Sequence, residues 1–123
     1  MLLTTLPGEQ HNLGLLMAEA MFSLEGASCI SLGTQTPVWD IALAARAQNI
    51  DVVAISFSAA FPSAQVCDGL QALRNQLPAE IGVWAGGSNP GLGRREIAGV
   101  TVLEDLDSVA PALDGWRASS NPA

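Results

Sequence analysis

The sequence predicts an α/β fold of the flavodoxin-like (Rossmann-like) class, a doubly wound five-stranded parallel sheet in the order 2-1-3-4-5. Short runs rich in branched apolar residues alternate with longer runs whose apolar residues recur at helical spacing. The connections between these runs are short, and β–α units of this kind form parallel sheets with helices on both faces. The length of 123 residues suits one domain with a useful core.

The first half of the chain contains two strand–helix units and a third strand. Gly26 is the expected stop of the first helix, and Thr36 is the predicted N-cap of the second, with Pro37 at its first position. The continuous apolar run 52–55 is typical of a strand that helices cover on both faces. The predicted strands are 2–6, 29–32 and 51–57, and the predicted helices are 10–24 and 36–48. The Leu and Met stripe of the first helix is expected to be core.

The second half continues the alternation. Gly86-Gly87 is expected to end the fourth strand, and a short helix is expected before the fifth. Residues 1–118 are predicted to form the domain, and 119–123 a disordered tail. The predicted strands are 81–85 and 100–103, and the predicted helices are 62–77, 91–97 and 105–116. Core or helix-packing roles are expected for Trp39, Trp84 and Trp116.

The charge of the chain excludes several kinds of partner. Five Lys plus Arg stand against twelve Asp plus Glu, which gives a formal net charge of −7. A chain this acidic is not expected to bind DNA or an anionic membrane, because both need a basic face. No apolar run approaches the ~20 residues of a membrane span. Cys29 and Cys67 form no C-x-x-C pattern, so we expect buried free thiols in a reducing, cytoplasmic compartment.

Three loops at one edge of the predicted sheet carry the unusual residues. In the predicted order, strands 1, 3 and 4 are neighbours, and their carboxyl ends form the edge where such sheets bind ligands. Adjacent strands lie about 4.8 Å apart, so one elongated ligand could contact all three loops. The segments that follow these strands are 9–14, 56–58 and 86–90.

His11, in the first loop, is the only histidine of the chain. A lone imidazole cannot build a zinc site, but it suits a metal already held by a macrocycle, to which a protein adds one axial bond. Glu9 lies two residues earlier and could fix the imidazole tautomer. The alternative interpretation is a surface loop histidine without a ligand.

The glycines and serines of these loops could form a slot beside the central strands. Gly14 and Gly86-Gly87 lack side chains where a bulky ligand would approach. Ser56 and Ser58 lie on the same side of an extended backbone, so both could line the slot. We therefore expect Gly87→Leu to block the slot while leaving the fold intact. The alternatives are a simple strand-to-helix turn at the glycines and serines that satisfy backbone groups.

The three loops together resemble the signature of B12-binding domains, which reads Asp-x-His-x-x-Gly, Ser-x-Leu and Gly-Gly. The resemblance implies a cobalamin cofactor, adenosylcobalamin or another B12 form, with its dimethylbenzimidazole displaced and His11 as the axial cobalt ligand. It also implies that the nucleotide tail enters the slot. Two positions depart from the family pattern, because Glu9 replaces Asp and Ser58 replaces Leu. The matching segments are Glu9-x-His11-x-x-Gly14, Ser56-x-Ser58 and Gly86-Gly87.

A finer resemblance concerns the B12 domains of MerR-type, light-responsive transcriptional regulators. It implies a non-catalytic sensor module, fused to or working with a DNA-binding domain, with homo-oligomers possible. Such a chain is expected to be the C-terminal domain of a longer protein or a stand-alone relative. The alternatives are the corrinoid-carrier domain of a methyltransferase or mutase, and a flavodoxin-like interaction module without cofactor. The segments that carry this resemblance are 7–14 and 32–37.

Overall fold

The computed structural model describes residues 1–120, which form nine regular elements. Single 3₁₀ turns at Ser63–Gln65 and Leu106–Ser108 lead into the third and fourth helices. The elements are β1 (Leu2–Thr4), α1 (Leu13–Leu24), β2 (Ile30–Ser31), α2 (Val38–Ala47), β3 (Val52–Phe57), α3 (Val66–Gln76), β4 (Gly82–Gly87), β5 (Val100–Leu103) and α4 (Val109–Ser120).

The strands form one parallel sheet in the order β2-β1-β3-β4-β5, which confirms the predicted flavodoxin-like architecture. Leu3 of β1 is paired with Ala54 of β3, and Ala54 with Trp84 of β4. The chain passes from β1 to the edge at β2 and then returns across β1 to β3. The loops after β1 and β3 therefore diverge at a topological switch point, where open α/β sheets bind ligands.

Side chains of the central strands alternate between two cores. Val53, Ile55 and Phe57 face a core shared with α2 and α3. Val52 and Ala54 face a second core on the side of α1 and α4. Because successive residues of a strand point to opposite faces, helices cover both sides of β3, as its continuous apolar run predicted.

Two predicted helix starts are wrong. The first helix begins at Leu13 rather than residue 10, because the preceding residues form a loop with a turn at Gly8. In the second helix Pro37 occupies the N-cap position without a side-chain cap. The Thr36 hydroxyl instead lies 2.6 Å from the Thr4 hydroxyl, which ties the loop before α2 to the end of β1.

The predicted helix over 91–97 is absent, and turns connect β4 to β5. Gly91 and Gly93 disfavour a helix there. The Asn89 side chain instead accepts a hydrogen bond from the Gly91 N–H at 2.7 Å, which competes with helix formation. The fourth strand also differs from prediction: it includes Gly86 and Gly87 instead of ending before them.

The last helix continues to Ser120, beyond its predicted end at residue 116. Ser119 and Ser120 are therefore helical although they were predicted to belong to the disordered tail. The remainder of that predicted tail, 121–123, lies outside the described residues.

The apolar stripe of α1 was predicted to be core, and this is wrong for most of it. Leu15 and Phe22 are buried, whereas the face that carries the other large apolar side chains is exposed. Within residues 1–120 no helix is long and apolar enough to span a bilayer. The exposed large apolar residues of this helix are Leu13, Leu16, Met17 and Leu24.

Candidate functional site

The loop after β1 is shaped so that Glu9 turns inward. Gly8 adopts a φ of +94°, which few side chains tolerate, and the Glu9 N–H donates to the Leu6 carbonyl at 3.0 Å. The buried Thr5 hydroxyl donates to the Glu9 carbonyl at 2.7 Å and accepts from the Gln35 N–H at 2.8 Å. Thr5 therefore fixes this loop to the loop before α2.

The Glu9 carboxylate is the charged group buried at the site, with 1% of the residue exposed. Its Oε1 accepts a hydrogen bond from the Ser58 N–H at 3.0 Å. Its Oε2 is buried and has no hydrogen-bond partner among the described residues. Burying a carboxylate oxygen without a hydrogen-bond donor costs free energy. The loop nevertheless keeps this unused acceptor near His11.

The His11 side chain lies at the surface, 56% exposed, with Nδ1 turned toward the protein. Nδ1 is 3.4 Å from the Ser58 Oγ and 3.9 Å from the Glu9 Oε1. The predicted Glu9–His11 hydrogen bond is thus not formed at this distance, although the two groups are neighbours. Because Nδ1 faces Ser58 and Glu9, the other ring nitrogen, Nε2, is the one left for a metal.

Asn89, in the loop after β4, holds the loop that carries Ser58. Its Nδ2 donates to the carbonyls of Ser58 and Phe61 at 2.8 and 2.7 Å. Asn89 is 4% exposed, and all of these bonds join the end of β3 to the end of β4. The three loops predicted to meet at this edge are therefore linked by hydrogen bonds.

A cavity of about 520 Å³ lies between the sheet, α1 and the start of α4. Ser56 lines it, whereas Ser58 does not, contrary to the expectation that both serines line one slot. Ser58 follows the last residue of β3, so strand alternation no longer determines its direction. The walls are mainly apolar and include Leu3, Leu15, Phe22, Ala54, Trp84 and Val109.

Gly14 and Gly86 leave space at this cavity, whereas Gly87 is required by the conformation of the backbone. A Cβ on Gly14 would lie 3.1 Å from the Ser56 Oγ, so the missing side chain keeps the gap between α1 and β3 free. A Cβ on Gly86 would lie 3.3 Å from the Leu103 carbonyl oxygen. Gly87 has a φ of +126°, and a Cβ there would overlap the Phe57 backbone. The expectation that Gly87→Leu leaves the fold intact is therefore wrong, because any side chain there disturbs the pairing of β3 with β4.

The family model of the B12 binding domain matches residues 1–110. The chain belongs to the B12-binding domain family. Cobalamin is accordingly the cofactor of this domain, as the resemblance of its three loops implied. The match extends from β1 into the start of α4 and so includes all the loops described above.

The relatives of this B12-binding domain include a regulator and corrinoid proteins. It is 34% identical over 86 residues to the HTH-type transcriptional repressor CarH of Myxococcus xanthus, which covers 70% of this chain and 29% of that protein. A cobalamin-binding protein of Desulfitobacterium hafniense aligns with a TM-score of 0.68 at 22% identity, covering 94% of this chain and 57% of its own.

Two further solved structures share the fold. The monomethylamine corrinoid protein of Methanosarcina barkeri has a TM-score of 0.70 at 17% identity, covering 91% of this chain and 55% of its own. The methanol:cobalamin methyltransferase complex MtaBC of the same organism has a TM-score of 0.70 at 17% identity. The alignment covers 95% of this chain and 45% of the chain in that complex. The B12-binding domain thus spans less than two thirds of each relative.

The residues of the site fit a corrinoid. Within the part of the chain that the structure describes, no group of three or more His, Cys, Asp and Glu could hold a bare metal ion. His11 instead offers one accessible ring nitrogen, with the unpartnered Glu9 Oε2 nearby. The cavity is lined by Gly14, Ser56 and Gly86, at the carboxyl edge of the sheet. A single imidazole beside an open, mainly apolar cavity suits a metal held in a macrocycle that carries a long substituent.

Sequence reasoning missed two residues that shape the site, Thr5 and Asn89. The Asn89-Pro90-Gly91 segment carries a turn signal, which could have indicated the role of Asn89. Thr5 had no comparable signal, because its two partners are backbone groups of separate loops. Trp84 was assigned to the core, and it also forms part of the cavity wall.

Proposed function

We propose that this domain binds cobalamin with the dimethylbenzimidazole displaced and His11 Nε2 on the lower face of the cobalt, as a non-catalytic sensor module of a transcription regulator. The observation that carries the proposal is the orientation of His11, with Nδ1 turned toward Ser58 and Glu9 beside a deep cavity. The corrinoid would supply a cobalt ion already held by its macrocycle, and His11 would provide the protein's ligand to it.

The chain's own residues then have separate tasks. Glu9 and Ser58 hold the imidazole, and Gly14, Ser56 and Gly86 leave room for the nucleotide tail. The apolar walls of the cavity suit the displaced dimethylbenzimidazole, because burial of an aromatic bicycle among apolar side chains removes its surface from water. Gly87 acts indirectly, since its backbone conformation allows β4 to remain paired with β3 at the mouth of the cavity.

The sensor role is supported by the 34% identity to CarH, whose name describes a transcriptional repressor with a helix-turn-helix. The titratable side chains at this loop are Glu9 and His11; His11 is assigned to cobalt and Glu9 to His11, which leaves no acid or base there for catalysis. We further propose a cytoplasmic protein in which a DNA-binding domain, fused or separate, provides the contact with DNA, and in which the domain can take part in a homo-oligomer. With a net charge of −7 this chain does not itself bind DNA.

The test of the binding mode is electron paramagnetic resonance of the cob(II)alamin complex, made with ¹⁵N-labelled protein and unlabelled cobalamin. The unpaired electron couples to the axial nitrogen, so a histidine ligand gives doublet splitting and a retained dimethylbenzimidazole gives triplet splitting. We expect doublets, one cobalamin retained per chain through gel filtration, and loss of the doublets in His11→Ala. Triplet splitting in the wild-type complex, or no retained cobalamin, would overturn the proposal.

A further inference from the structure

We infer that the Ser58 hydroxyl is a positioning group for the axial ligand, because it accepts the Nδ1–H hydrogen bond of His11 and divides this task with Glu9. This inference rests on the proposed ligation of cobalt by His11. Ser58 stands where the family pattern has Leu, which offers no hydrogen-bonding atom. The role is therefore a property of this chain.

The distances favour Ser58 over Glu9 as the nearest partner of the imidazole. Nδ1 lies 3.4 Å from the Ser58 Oγ and 3.9 Å from the Glu9 Oε1. That carboxylate oxygen already accepts the Ser58 N–H at 3.0 Å. Ser58 thus contacts both members of the pair, Glu9 through its backbone and His11 through its side chain.

Ser58 is held rigidly enough for this task. Its N–H is bound to Glu9, its carbonyl accepts from the Asn89 Nδ2 at 2.8 Å, and its Oγ accepts from the Ala60 N–H at 3.2 Å. A group fixed from three directions needs little reordering when the ligand binds, and such preorganisation lowers the cost of binding.

The hydrogen-bond direction follows from the ligation. If Nε2 binds cobalt, Nδ1 carries the ring hydrogen and can only donate. A serine oxygen has two lone pairs, and the Ala60 N–H uses one of them. The second lone pair remains for His11. The Ser58 Oγ can therefore accept the Nδ1–H hydrogen bond and keep its bond from the Ala60 N–H.

The experiment compares Ser58→Ala with Ser31→Ala in the full chain. Ser31 is a matched control, because its Oγ also accepts a hydrogen bond from the N–H two residues later, that of Gly33 at 3.3 Å, away from His11. Both variants lose the local turn bond, whereas only Ser58→Ala loses the contact with the imidazole. Affinity for hydroxocobalamin is measured by absorbance titration, and the axial nitrogen by ¹⁵N splitting of the cob(II)alamin spectrum.

We expect Ser58→Ala to weaken hydroxocobalamin binding about three- to tenfold and to reduce the fraction of cobalt with ¹⁵N doublets. Ser31→Ala should stay within about twofold of wild type, and Ser58→Thr, which keeps the hydroxyl, should restore both readouts. Ser58→Cys, nearly isosteric but a poor acceptor, should behave like Ser58→Ala and replaces it if that variant is unstable.

Equal affinity and equal splitting in Ser58→Ala and Ser31→Ala would overturn the inference and leave the proposed function intact. A wild-type complex without ¹⁵N splitting would instead overturn the proposed function, and the inference with it. The wild-type spectrum therefore separates the two failures.

Discussion

Glu9 combines features that are unfavourable in the protein without ligand. Its carboxylate is buried, one oxygen has a single neutral donor, and the other oxygen has no partner among the described residues. Burying such a group costs on the order of 1–3 kcal/mol relative to a fully hydrogen-bonded one. The His11 Nδ1 lies 3.9 Å from Oε1, the oxygen that accepts the Ser58 N–H, so the carboxylate is a close neighbour of the imidazole.

Removal of the Glu9 side chain should therefore weaken cobalamin binding. We expect Glu9→Ala to lower the affinity about 10- to 100-fold, because partners of metal-bound histidines contribute on this scale. Glu9→Gln keeps an acceptor for the Ser58 N–H and should lose less. Absorbance titration with hydroxocobalamin gives both values. An affinity of Glu9→Ala equal to wild type would leave the carboxylate as a structural group of the loop.

Gly14 offers a direct test of the cavity. A leucine there points toward the Ser56 Oγ and fills the gap between α1 and β3, so we expect a loss of about 10- to 100-fold in cobalamin affinity. The matched control is Gly115→Leu, on α4, where a Cβ meets nothing within 4 Å.

Gly115→Leu replaces a helical glycine without a close contact and should raise the free energy of unfolding of the apo protein by up to about 1 kcal/mol through helix propensity, whereas in Gly14→Leu the 3.1 Å approach of the Cβ to the Ser56 Oγ opposes that gain. Stability is measured by urea unfolding. If both variants bind cobalamin as wild type does, the nucleotide tail does not pass Gly14.

At this scale the sequence predicted which residues meet and did not predict which atoms bond. Glu9, His11 and Ser58 come together because they follow neighbouring strands. The choice of Ser58 over Glu9 as the nearest partner of His11 depends on differences of half an ångström, which a residue pattern cannot express. The special need for glycine at Gly87 was hidden for the same reason, since it arises from the Phe57 backbone.

Among the elements, α1 has two apolar faces, one buried against the sheet and one exposed. Helical spacing of leucines and methionines predicted the helix correctly, but it could not indicate which face packs on the sheet. Phe22 is 1% exposed and packs against Trp84, with ring centroids 5.9 Å apart. Leu24 is 80% exposed although it continues the same apolar pattern.

Alanine substitutions should separate these faces. Phe22→Ala should lower the free energy of unfolding by about 3–5 kcal/mol, the usual cost of removing a buried aromatic ring. Leu24→Ala should change it by less than about 0.5 kcal/mol, as expected for an exposed position. Urea unfolding monitored by circular dichroism gives both values. Equal losses would mean that Leu24 is covered in solution.

Element boundaries were predicted well for the half-buried fifth strand and poorly where side chains compete with the backbone. The fifth strand was placed correctly, because a branched apolar run has few alternatives. The expected N-cap at Thr36 and the expected helix over 91–97 were wrong. In both places a polar side chain formed a tertiary or local bond instead, Thr36 with Thr4 and Asn89 with Gly91.

For the whole molecule, alternation, short connections and chain length were sufficient to predict the parallel sheet and its strand order. In the proposed binding mode, His11 and the cavity contact only the lower face and the nucleotide tail of the ligand. The upper axial ligand lies on the opposite face of the corrin. The residues of this site therefore contain nothing that distinguishes one upper ligand from another.

This chain should consequently bind adenosylcobalamin and hydroxocobalamin with affinities within about tenfold, or 1.4 kcal/mol. Its oligomeric state with adenosylcobalamin should be the same in darkness and after illumination, because a ligand shifts an equilibrium only by its differential affinity for the two states. Titration and size-exclusion chromatography test the two statements. A light-dependent elution volume would place a switch within these 123 residues.

The pairing of β1 with β3 across the switch point has a kinetic consequence. The bond from the Ser58 N–H to Glu9 joins positions 49 residues apart, so the axial site does not exist until a non-local strand pair has formed. Such pairings are slow to form, since the entropy of closing the loop is lost before contacts compensate for it. Cobalamin therefore meets a chain that has already folded. Its stabilising effect should appear as slower unfolding of the loaded domain, with the refolding rate unchanged.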